Sequence, residues 1–282
     1  MTWKAYEVIF RVRTPLHIGW GKVGNVQRTR PYVTGRSLWG ALTMRLTRDT
    51  SQGPATDSKK YEQVGQEVHE NLAFTYFYPA LENGNDYQVV WPWEDEAAFR
   101  RRLLGSYQST ALAYPAQSAA EASLHEVEFI TPRTLDTGAQ VFLKGYVFEQ
   151  QDCSLQWRSA CKWLQIGGER GYGWGNIEKI HIKQCTNGQL FGEKVVFESN
   201  SNDRPILRLD NAHLLAHTDT TRLPAIGNIE PLVGREWRSY SGESVVYTGL
   251  YFTPGSSVQQ KLKVRVEKFG IWVVRQASDG VE

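Results

Sequence analysis

The sequence predicts an α+β fold for this chain of 282 residues. Residues 5–13 alternate apolar and polar side chains over most of their length, as a half-buried strand does. Residues 35–48 instead place their apolar side chains on one helical face. Residues 188–282 contain further strand-like runs and little helical periodicity. Strands and helices mixed in this way, with a β-rich end, indicate the α+β class.

The first half of the chain continues with a long glycine-bearing loop, which is expected from His17 to Thr34. Residues 49–60 are rich in Ser, Thr, Asp, Gly and Pro and are expected to form a second loop. Residues 72–79 and 87–93 are aromatic and β-branched, and the Asn-Gly-Asn-Asp turn between them predicts a hairpin. Residues 94–124 are expected to be partly helical and then looped.

The next part of the chain alternates between strand and helix patterns. Residues 125–130 and 140–149 are predicted to be a strand pair. Residues 153–166 have an apolar face and are predicted to be a helix. A glycine-rich loop at 167–175 and a strand at 176–183 follow.

With residues 49–124 treated as an insertion, the predicted order is strand, helix, strand, strand, helix, strand. This order is typical of the ferredoxin-like split βαβ fold, which also underlies the RNA recognition motif. We therefore expect a ferredoxin-like (RRM-like) domain at residues 1–187 and a β-rich C-terminal region at residues 188–282. The C-terminal region is either an appendage or a second, degenerate copy of the domain.

The charge is unevenly distributed along the chain, whose net charge is +2. Residues 1–48 hold nine Lys and Arg and one acidic residue, so this end carries +8 and the rest carries −6. A basic end on a slightly acidic body predicts a local polyanion site. The ten Trp, 13 Tyr and 11 Phe also favour a binding protein, because both bases and partner proteins are bound on aromatic surfaces.

Membrane and metal sites are not predicted. No apolar run reaches the roughly 18 residues of a membrane helix, and no signal-peptide pattern is seen, so a cytoplasmic location without membrane contact is expected. The three cysteines, Cys153, Cys161 and Cys185, lack the spacing of a zinc site. No cofactor is expected.

The segment from His17 to Arg36 combines features of a phosphate-binding site. Its glycines, including Gly19, allow a ligand to approach the backbone closely. Gly35 and Arg36 begin the predicted helix, where free amides favour an anion. The predicted contacts of this segment are His17, Gly19, Lys22, Arg28, Arg30 and Arg36. The alternative is a flexible surface loop with solvated charges.

The second candidate segment has five glycines in nine residues, from Gly167 to Gly175. Ordering so many glycines costs conformational entropy, so we expect either close backbone approach or positive φ angles. No Gly-Lys-Ser/Thr follows, and the loop leads from a helix into a strand, which excludes the P-loop and the dinucleotide fingerprint. The predicted contacts are Gly167, Gly168, Arg170, Tyr172, Gly173 and Trp174. The alternative is a tight structural loop packed on the first helix.

Together these motifs resemble the RAMP (repeat-associated mysterious protein) superfamily. The similar segments are a His-Ile-Gly loop, then Thr-Gly-Arg-Ser-Leu-Trp-Gly-Ala-Leu at residues 34–42, and the glycine loop Gly-Gly-Glu-Arg-Gly-Tyr-Gly-Trp-Gly. Thr34 replaces a family Pro, and Trp39 replaces a basic residue. The resemblance covers about residues 5–185. It implies an RNA-binding subunit of a CRISPR effector complex.

The C-terminal segments Leu209–His213 and 229–237 resemble segments of proteins from type III CRISPR systems. They are most similar to the subunit that caps the complex and holds the 5′ tag of the guide. The resemblance implies crRNA, target RNA, the large signalling subunit and backbone RAMP subunits as partners. A backbone subunit that repeats along the guide is an alternative.

The resemblance also bears on catalysis. The target-cleaving Asp of type III backbone subunits lies in the loop between the first strand and first helix, but residues 14–34 contain no Asp or Glu. We therefore expect no catalytic residue. The alternative is a guide-maturing, metal-independent endoribonuclease with His17 as general acid and base. His213 and His217 are spaced i,i+4 without a third ligand and are interpreted as structural.

Overall fold

A computed structural model describes residues 2–51, 53–114, 116–199, 204–221, 223–236 and 243–275 of the chain. Within these residues the helices are α1 (Gly35–Thr50), α2 (Ser58–Asn71), α3 (Glu96–Leu103) and α4 (Trp157–Ala160). The strands are β1 (Trp3–Val12), β2 (Gly19–Val23), β3 (Val26–Thr29), β4 (Leu72–Phe74), β5 (Tyr78–Asn83), β6 (Asp86–Val89), β7 (Leu104–Ser109), β8 (Leu112–Ala113), β9 (Ser118–Ala119), β10 (His125–Ile130), β11 (Val141–Gln150), β12 (Trp163–Gln165), β13 (Asn176–Gln184), β14 (Gln189–Leu190), β15 (Val195–Glu198), β16 (Ile206–Leu209), β17 (Thr218–Asp219), β18 (Ile229–Glu236), β19 (Ser244–Phe252), β20 (Leu262–Val266) and β21 (Trp272–Val274). Short 3₁₀ turns lie at Arg170–Tyr172 and Lys268–Gly270. No helix in the described part of the chain is both long and apolar enough to cross a membrane.

The central sheet has the strand order β12-β13-β1-β11-β5-β6, and β4 also pairs with β11. Strand β1 lies between β11 and β13 and is antiparallel to both. Every residue of β11 before Gln150 is buried, because this sheet is covered on both faces. Leu38 and Leu42 of α1 pack with Phe10 of β1 in the core on one face. The central sheet therefore carries α1 and its flanking loops on a buried base.

Several predicted elements are confirmed at nearly the expected positions. Strands β1, β11 and β13 match their predicted segments, and α1 begins at Gly35. The Thr34 side chain accepts a hydrogen bond from the Ser37 N–H over 3.3 Å, which caps the helix. The predicted hairpin is formed by β5 and β6, which join at Asn83 and Asp86.

The predicted second core helix, 153–166, is wrong over most of its length. Only α4, a single turn, is helical, and Trp163–Gln165 forms the edge strand β12 beside β13. Leu164 reaches the core opposite Ile177 from this strand. Periodicity in a short apolar segment does not distinguish a helical turn followed by a strand from one continuous helix.

The prediction for residues 125–130 is also corrected. These residues form β10, which lies in a separate sheet of order β2-β3-β10-β7. The positions beside β11 are taken by β4 and β5, which come from the segment 49–124 that was expected to be an insertion. The expected loop from His17 to Thr34 contains the hairpin β2–β3. Local alternation predicts a strand but does not specify its partner, which depends on burial in the folded chain.

The C-terminal strands form a sheet of order β14-β15-β16-β20-β21-β17-β19-β18. Leu207, Val264 and Trp272 of this sheet share a core with Trp3 and Tyr146 of the central sheet. The domain boundary between residues 187 and 188 stays a prediction. Position 237, the last residue of the C-terminal segment 229–237, lies outside the described residues.

Candidate nucleic-acid interface

The two glycine-bearing segments that the sequence singles out meet at His17. Gly168 donates its backbone N–H to the carbonyl oxygen of His17 over 2.9 Å. Gly175 donates to the carbonyl oxygen of Pro15 over 2.8 Å, so both ends of the glycine-rich loop are joined to the segment after β1. The pairing of β1 with β13 brings them together, because one segment follows β1 and the other precedes β13.

His17 accounts for three of the glycines, through its side chain at Gly19 and Gly168 and through its backbone oxygen at Gly167. It is buried, and its Nδ1 lies 2.7 Å from the backbone oxygen of Glu128. A carbonyl oxygen only accepts, so Nδ1 donates this hydrogen bond. A Cβ atom at Gly19 would lie 2.9 Å from Nε2 of the ring, and one at Gly168 would lie 3.0 Å from Cδ2. At Gly167, where φ is +84°, a Cβ would lie 2.2 Å from the His17 oxygen. Internal packing therefore requires these glycines.

The middle of the glycine-rich loop is open to solvent. Tyr172 is 79% exposed, and no atom of the described residues lies within 4 Å of a Cβ built on Gly173. Arg170 is exposed, and its Nη1 lies 3.5 Å from Sδ of Met44 on α1. This part of the loop is therefore free to contact a ligand beside α1.

Trp174 lies on the other side of the same loop. Its ring centroid is 4.9 Å from that of Phe129 on β10 and 6.3 Å from that of Tyr107 on β7, both edge to face. The glycine-rich loop thus separates two surfaces. One surface runs along α1, and the other is a face of the sheet that contains β7 and β10.

Arg28 is held within the sheet of order β2-β3-β10-β7. Its Nε lies 3.1 Å from Oε2 of Glu128, a buried carboxylate that also binds Arg100 through Oε1. The backbone N–H of Thr29 donates to the same Oε2 over 3.0 Å. By contrast, Lys22 is exposed and has no carboxylate partner among the residues that the structure describes.

Arg30 belongs to a buried polar network. Its Nη1 lies 2.6 Å from Oε1 of Glu230 and 3.3 Å from the Tyr32 hydroxyl. His217 donates from Nε2 to the same Oε1 over 2.5 Å and accepts from the Tyr76 hydroxyl at Nδ1 over 2.7 Å.

Burial would raise the pKa of Glu230, but the hydrogen bond from His217 and the charge of Arg30 lower it. Burial raises the pKa of Tyr32 to about 12. This network joins the β2–β3 segment to the C-terminal sheet.

Arg36 also has internal partners. Its Nη2 donates to the backbone oxygen of Arg235 over 2.9 Å and lies 3.5 Å from Oε1 of Glu236, and its Cζ lies 4.4 Å from the Phe269 ring centroid. A Cβ at Gly35 would lie 2.5 Å from the Phe269 backbone oxygen. The amino end of α1 is therefore covered by protein, and a phosphate contact by Arg36 requires it to leave these partners.

A groove of about 1540 Å³ runs along the exposed side of α1, and we call it the α1 groove. Helix α2, the start of the glycine-rich loop, the end of β18 and the turn at Lys268–Gly270 border it. Its volume exceeds the roughly 300–1,000 Å³ of small-molecule sites, so it has room for a polymer. Within the described ranges, four of its cations have no carboxylate partner: Arg48, Lys59, Arg170 and Lys268.

The floor of the α1 groove is one stripe of α1. Arg36, Gly40, Met44 and Arg48 follow one another at spacings of four residues and therefore lie on one helix face. Gly40 has no positive φ and no described atom outside its own helix within 4 Å of a Cβ position. A glycine inside a helix costs about 1 kcal/mol relative to alanine. Packing in the described part of the chain gives no reason for Gly40.

The cations of the α1 groove were largely missed from the sequence. Arg36 and Arg170 were predicted, but Arg48, Lys59 and Lys268 come from three distant segments that only the folded chain brings together. The spacing of four from Arg36 to Arg48 is the one sequence signal that could have indicated this face.

Over the residues that the structure describes, no group of three or more His, Cys, Asp or Glu side chains is placed to hold a metal ion.

Comparison with known proteins gives structural matches alone. No family model and no curated protein matches the sequence. A chain of the "Type III-B Cmr-beta bound to cognate target RNA and AMPPnP, state 1" is 11% identical, with a TM-score of 0.50 over 89% of this chain and 85% of that one. The two chains share a fold.

Two further Cmr-beta structures match more weakly. The complex "bound to cognate target RNA" has a chain that is 9% identical, with a TM-score of 0.39 over 64% of this chain and 96% of that chain. The "Apo state" has a chain that is 9% identical, with a TM-score of 0.40 over 65% and 98%. The match with a TM-score of 0.50 is one of fold, a mixed, sheet-rich architecture with few helices.

Proposed function

We propose that this chain is a non-catalytic, crRNA-binding subunit of a type III CRISPR effector complex. The observation that carries the proposal is the α1 groove, where Arg48, Lys59, Arg170 and Lys268 face one open channel without carboxylate partners among the described residues. The groove lies on a fold similar to that of a chain from a type III-B Cmr-beta complex bound to target RNA. The RAMP-like motifs are independent support.

The core of this subunit is ferredoxin-like. The chain runs β1, α1, β4 and β5, β11, α4, β13, and the corresponding sheet order is β13-β1-β11-β5. This order supports a split βαβ arrangement, in which the first and third strands are central neighbours. Strands β4 and β5 take the role that the sequence assigned to residues 125–130. The glycine-rich loop then enters the last core strand, beside the segment that follows the first.

The unpaired cations favour a phosphate backbone as the ligand of the α1 groove. Each arginine that already binds a carboxylate, such as Arg28 or Arg30, gains little from a phosphate because it must give up its partner. A solvated cation without a partner instead releases counterions from the nucleic acid when it binds. The groove, rather than the predicted basic loop, is therefore the main phosphate site.

Gly40 supports a ligand that lies directly on α1. The glycine gives the helix no packing benefit among the described residues, yet it occupies the centre of the stripe between Arg36 and Arg48. Absence of a side chain at that point lets a sugar-phosphate chain approach the helix surface. The same reason accounts for a helix-destabilising residue at this position.

Neighbouring subunits are the second partner class. The β18–β19 ribbon exposes a face on which Val233 pairs with Tyr247 and Pro231 pairs with Leu250. Val233, Tyr247 and Leu250 are 60%, 61% and 52% exposed. Contiguous exposed apolar residues of this kind are typical of protein contacts. We assign this face to a neighbouring subunit of the complex, with the guide 5′ tag held in the α1 groove.

The proposal is tested by charge reversal in the α1 groove. Arg48→Glu with Lys59→Glu should weaken crRNA binding by about tenfold or more, and should reduce the salt dependence by about 0.7 in log–log slope per lost phosphate contact. Lys60→Glu is the matched control, because Lys60 is exposed on the same helix as Lys59 but does not line the groove. Equal affinity and slope in the groove variant and the control would refute the proposal.

A further inference from the structure

One row of residues crosses all four strands of the sheet of order β2-β3-β10-β7. Lys22 on β2 lies opposite Gln27 on β3, Gln27 lies opposite Val127 on β10, and Val127 lies opposite Tyr107 on β7. Directly opposed residues point to the same face of a sheet. Three interstrand spacings of about 4.8 Å place the ends of this row roughly 14 Å apart.

Trp174 extends the aromatic part of this face. Its ring contacts those of Phe129 and Tyr107, so the glycine-rich loop packs on the same face as the row. Tyr107 is 59% exposed, and its hydroxyl has no hydrogen-bond partner within the described part of the chain. We call the surface formed by Lys22, Gln27, Tyr107 and Trp174 the aromatic face.

The opposite face of the sheet is chemically different. It carries Glu128 with its partners Arg28 and Arg100, and the Gln108 amide donates to Glu126 over 3.1 Å. Its polar groups are therefore satisfied internally. The aromatic face presents the exposed ring of Tyr107 beside the half-buried ring of Trp174, and the side chains of Gln27 and Lys22 have no polar partner among the described residues.

These features match an unpaired base better than they match a partner protein. Every base has a π-face that stacks on tyrosine or tryptophan, and each stacked base contributes about 1–3 kcal/mol. The cation at one end of the row suits the phosphate that accompanies such a base. Aromatic rings also serve protein contacts, but the row adds Lys22 and Gln27 at one side, which supply a phosphate contact and a hydrogen bond to a base edge.

We propose that the aromatic face binds unpaired bases of a single-stranded RNA. Tyr107 and Trp174 stack on the bases, the Gln27 amide hydrogen-bonds a base edge, and Lys22 contacts the phosphate. This inference rests on the proposed RNA-binding function and specifies its ligand as a segment without base pairing. Because the glycine-rich loop separates the two surfaces, one strand crosses from the α1 groove over Tyr172 to the aromatic face.

The test compares Tyr107→Ala and Tyr107→Phe with the wild-type chain. A fluorescently labelled single-stranded RNA and the same RNA annealed to its complement are the probes. Tyr107→Ala should bind the single strand about 5- to 150-fold more weakly, which corresponds to the loss of one stacked base. Its salt slope and its affinity for the duplex should stay unchanged, because stacking involves no ion release. Tyr107→Phe keeps the ring and should keep the affinity.

Tyr114→Ala is the matched control, because Tyr114 is 89% exposed and lies outside the four strands. If wild type and Tyr107→Ala bind the single strand equally well, the aromatic face is not a base site, while the proposed function stands. If wild type binds neither probe, the proposed function itself fails. If Tyr107→Ala keeps its RNA affinity but loses a neighbouring subunit on co-purification, the face is a protein contact and the inference is overturned.

Discussion

The Nη1 atom of Arg30 lies 2.6 Å from Oε1 of Glu230, 200 positions further along the chain. Both side chains are largely buried, at 14% and 18% exposure. The pair joins the segment before α1 to β18 of the C-terminal sheet. A basic residue that looks like a phosphate ligand in the sequence therefore connects two parts of the fold.

Replacing Arg30 should reduce stability without affecting RNA binding. Arg30→Met leaves the Glu230 carboxylate buried without its cation and should lower the free energy of unfolding by about 3 kcal/mol. Arg30→Met with Glu230→Gln should recover part of that loss, which a double-mutant cycle in urea unfolding measures. A stable Arg30→Met variant with a reduced salt slope of RNA binding would instead show that Arg30 contacts phosphate.

Acidification should destabilise the chain in two steps. Burial lowers the pKa of His217 below its ordinary 6.5, although its hydrogen bond to Glu230 opposes this. As the pH falls below about 6.5, the unfolded chain takes up a proton that buried His217 resists, and stability is lost. The pKa of Glu230 is lowered from 4.5, so its contribution is present above that value and is lost as the pH falls further.

The measurement is the free energy of unfolding between about pH 7.5 and pH 5.5. His217→Gln should show a smaller loss over this interval than the wild-type chain. Some loss of stability should remain in this variant. Burial and the charge of Arg204 lower the pKa of His69 to about 4, so His69 also reduces the free energy of unfolding as the pH falls. Identical pH profiles for wild type and His217→Gln would contradict the assignment to His217.

Gly40→Ala should separate stability from binding. Alanine is favoured over glycine in a helix by about 1 kcal/mol, and no described atom obstructs the new methyl group, so thermal stability should increase. RNA affinity should decrease, because the methyl group projects into the α1 groove. Calorimetry and a binding titration on one preparation test both effects. Unchanged affinity would remove the case for direct contact between RNA and α1.

The chain should not cleave RNA through His17. The imidazole of His17 is 6% exposed and donates to the Glu128 carbonyl oxygen, so His17→Ala should lower the free energy of unfolding by roughly 1–3 kcal/mol. Purified chain incubated with repeat RNA and EDTA should give no discrete product, and His125→Ala, at the start of β10, serves as a control. Wild-type cleavage that His17→Ala alone abolishes would establish an endoribonuclease.

Much of the central fold could be predicted from local pattern. Alternation over β1 and one apolar face over α1 identify these elements, and the Asn-Gly-Asn-Asp turn identifies the β5–β6 hairpin. Two predictions were wrong, the helix at 153–166 and the position of β10 in the central sheet. The pattern of a short apolar segment specifies neither how long a helix is nor which strand pairs with it. Those choices depend on burial in the whole sheet.

The sequence by itself determined that two glycine-bearing, basic segments are candidates for one site, and it predicted Arg170 as one of the RNA contacts. Only the tertiary structure decided which cations are available. It paired Arg28, Arg30 and Arg36 with carboxylates from distant strands and left Arg48, Lys59 and Lys268 beside one channel. The physical reason is that a residue type specifies a charge, whereas the availability of that charge depends on partners that long-range folding brings within a few ångströms.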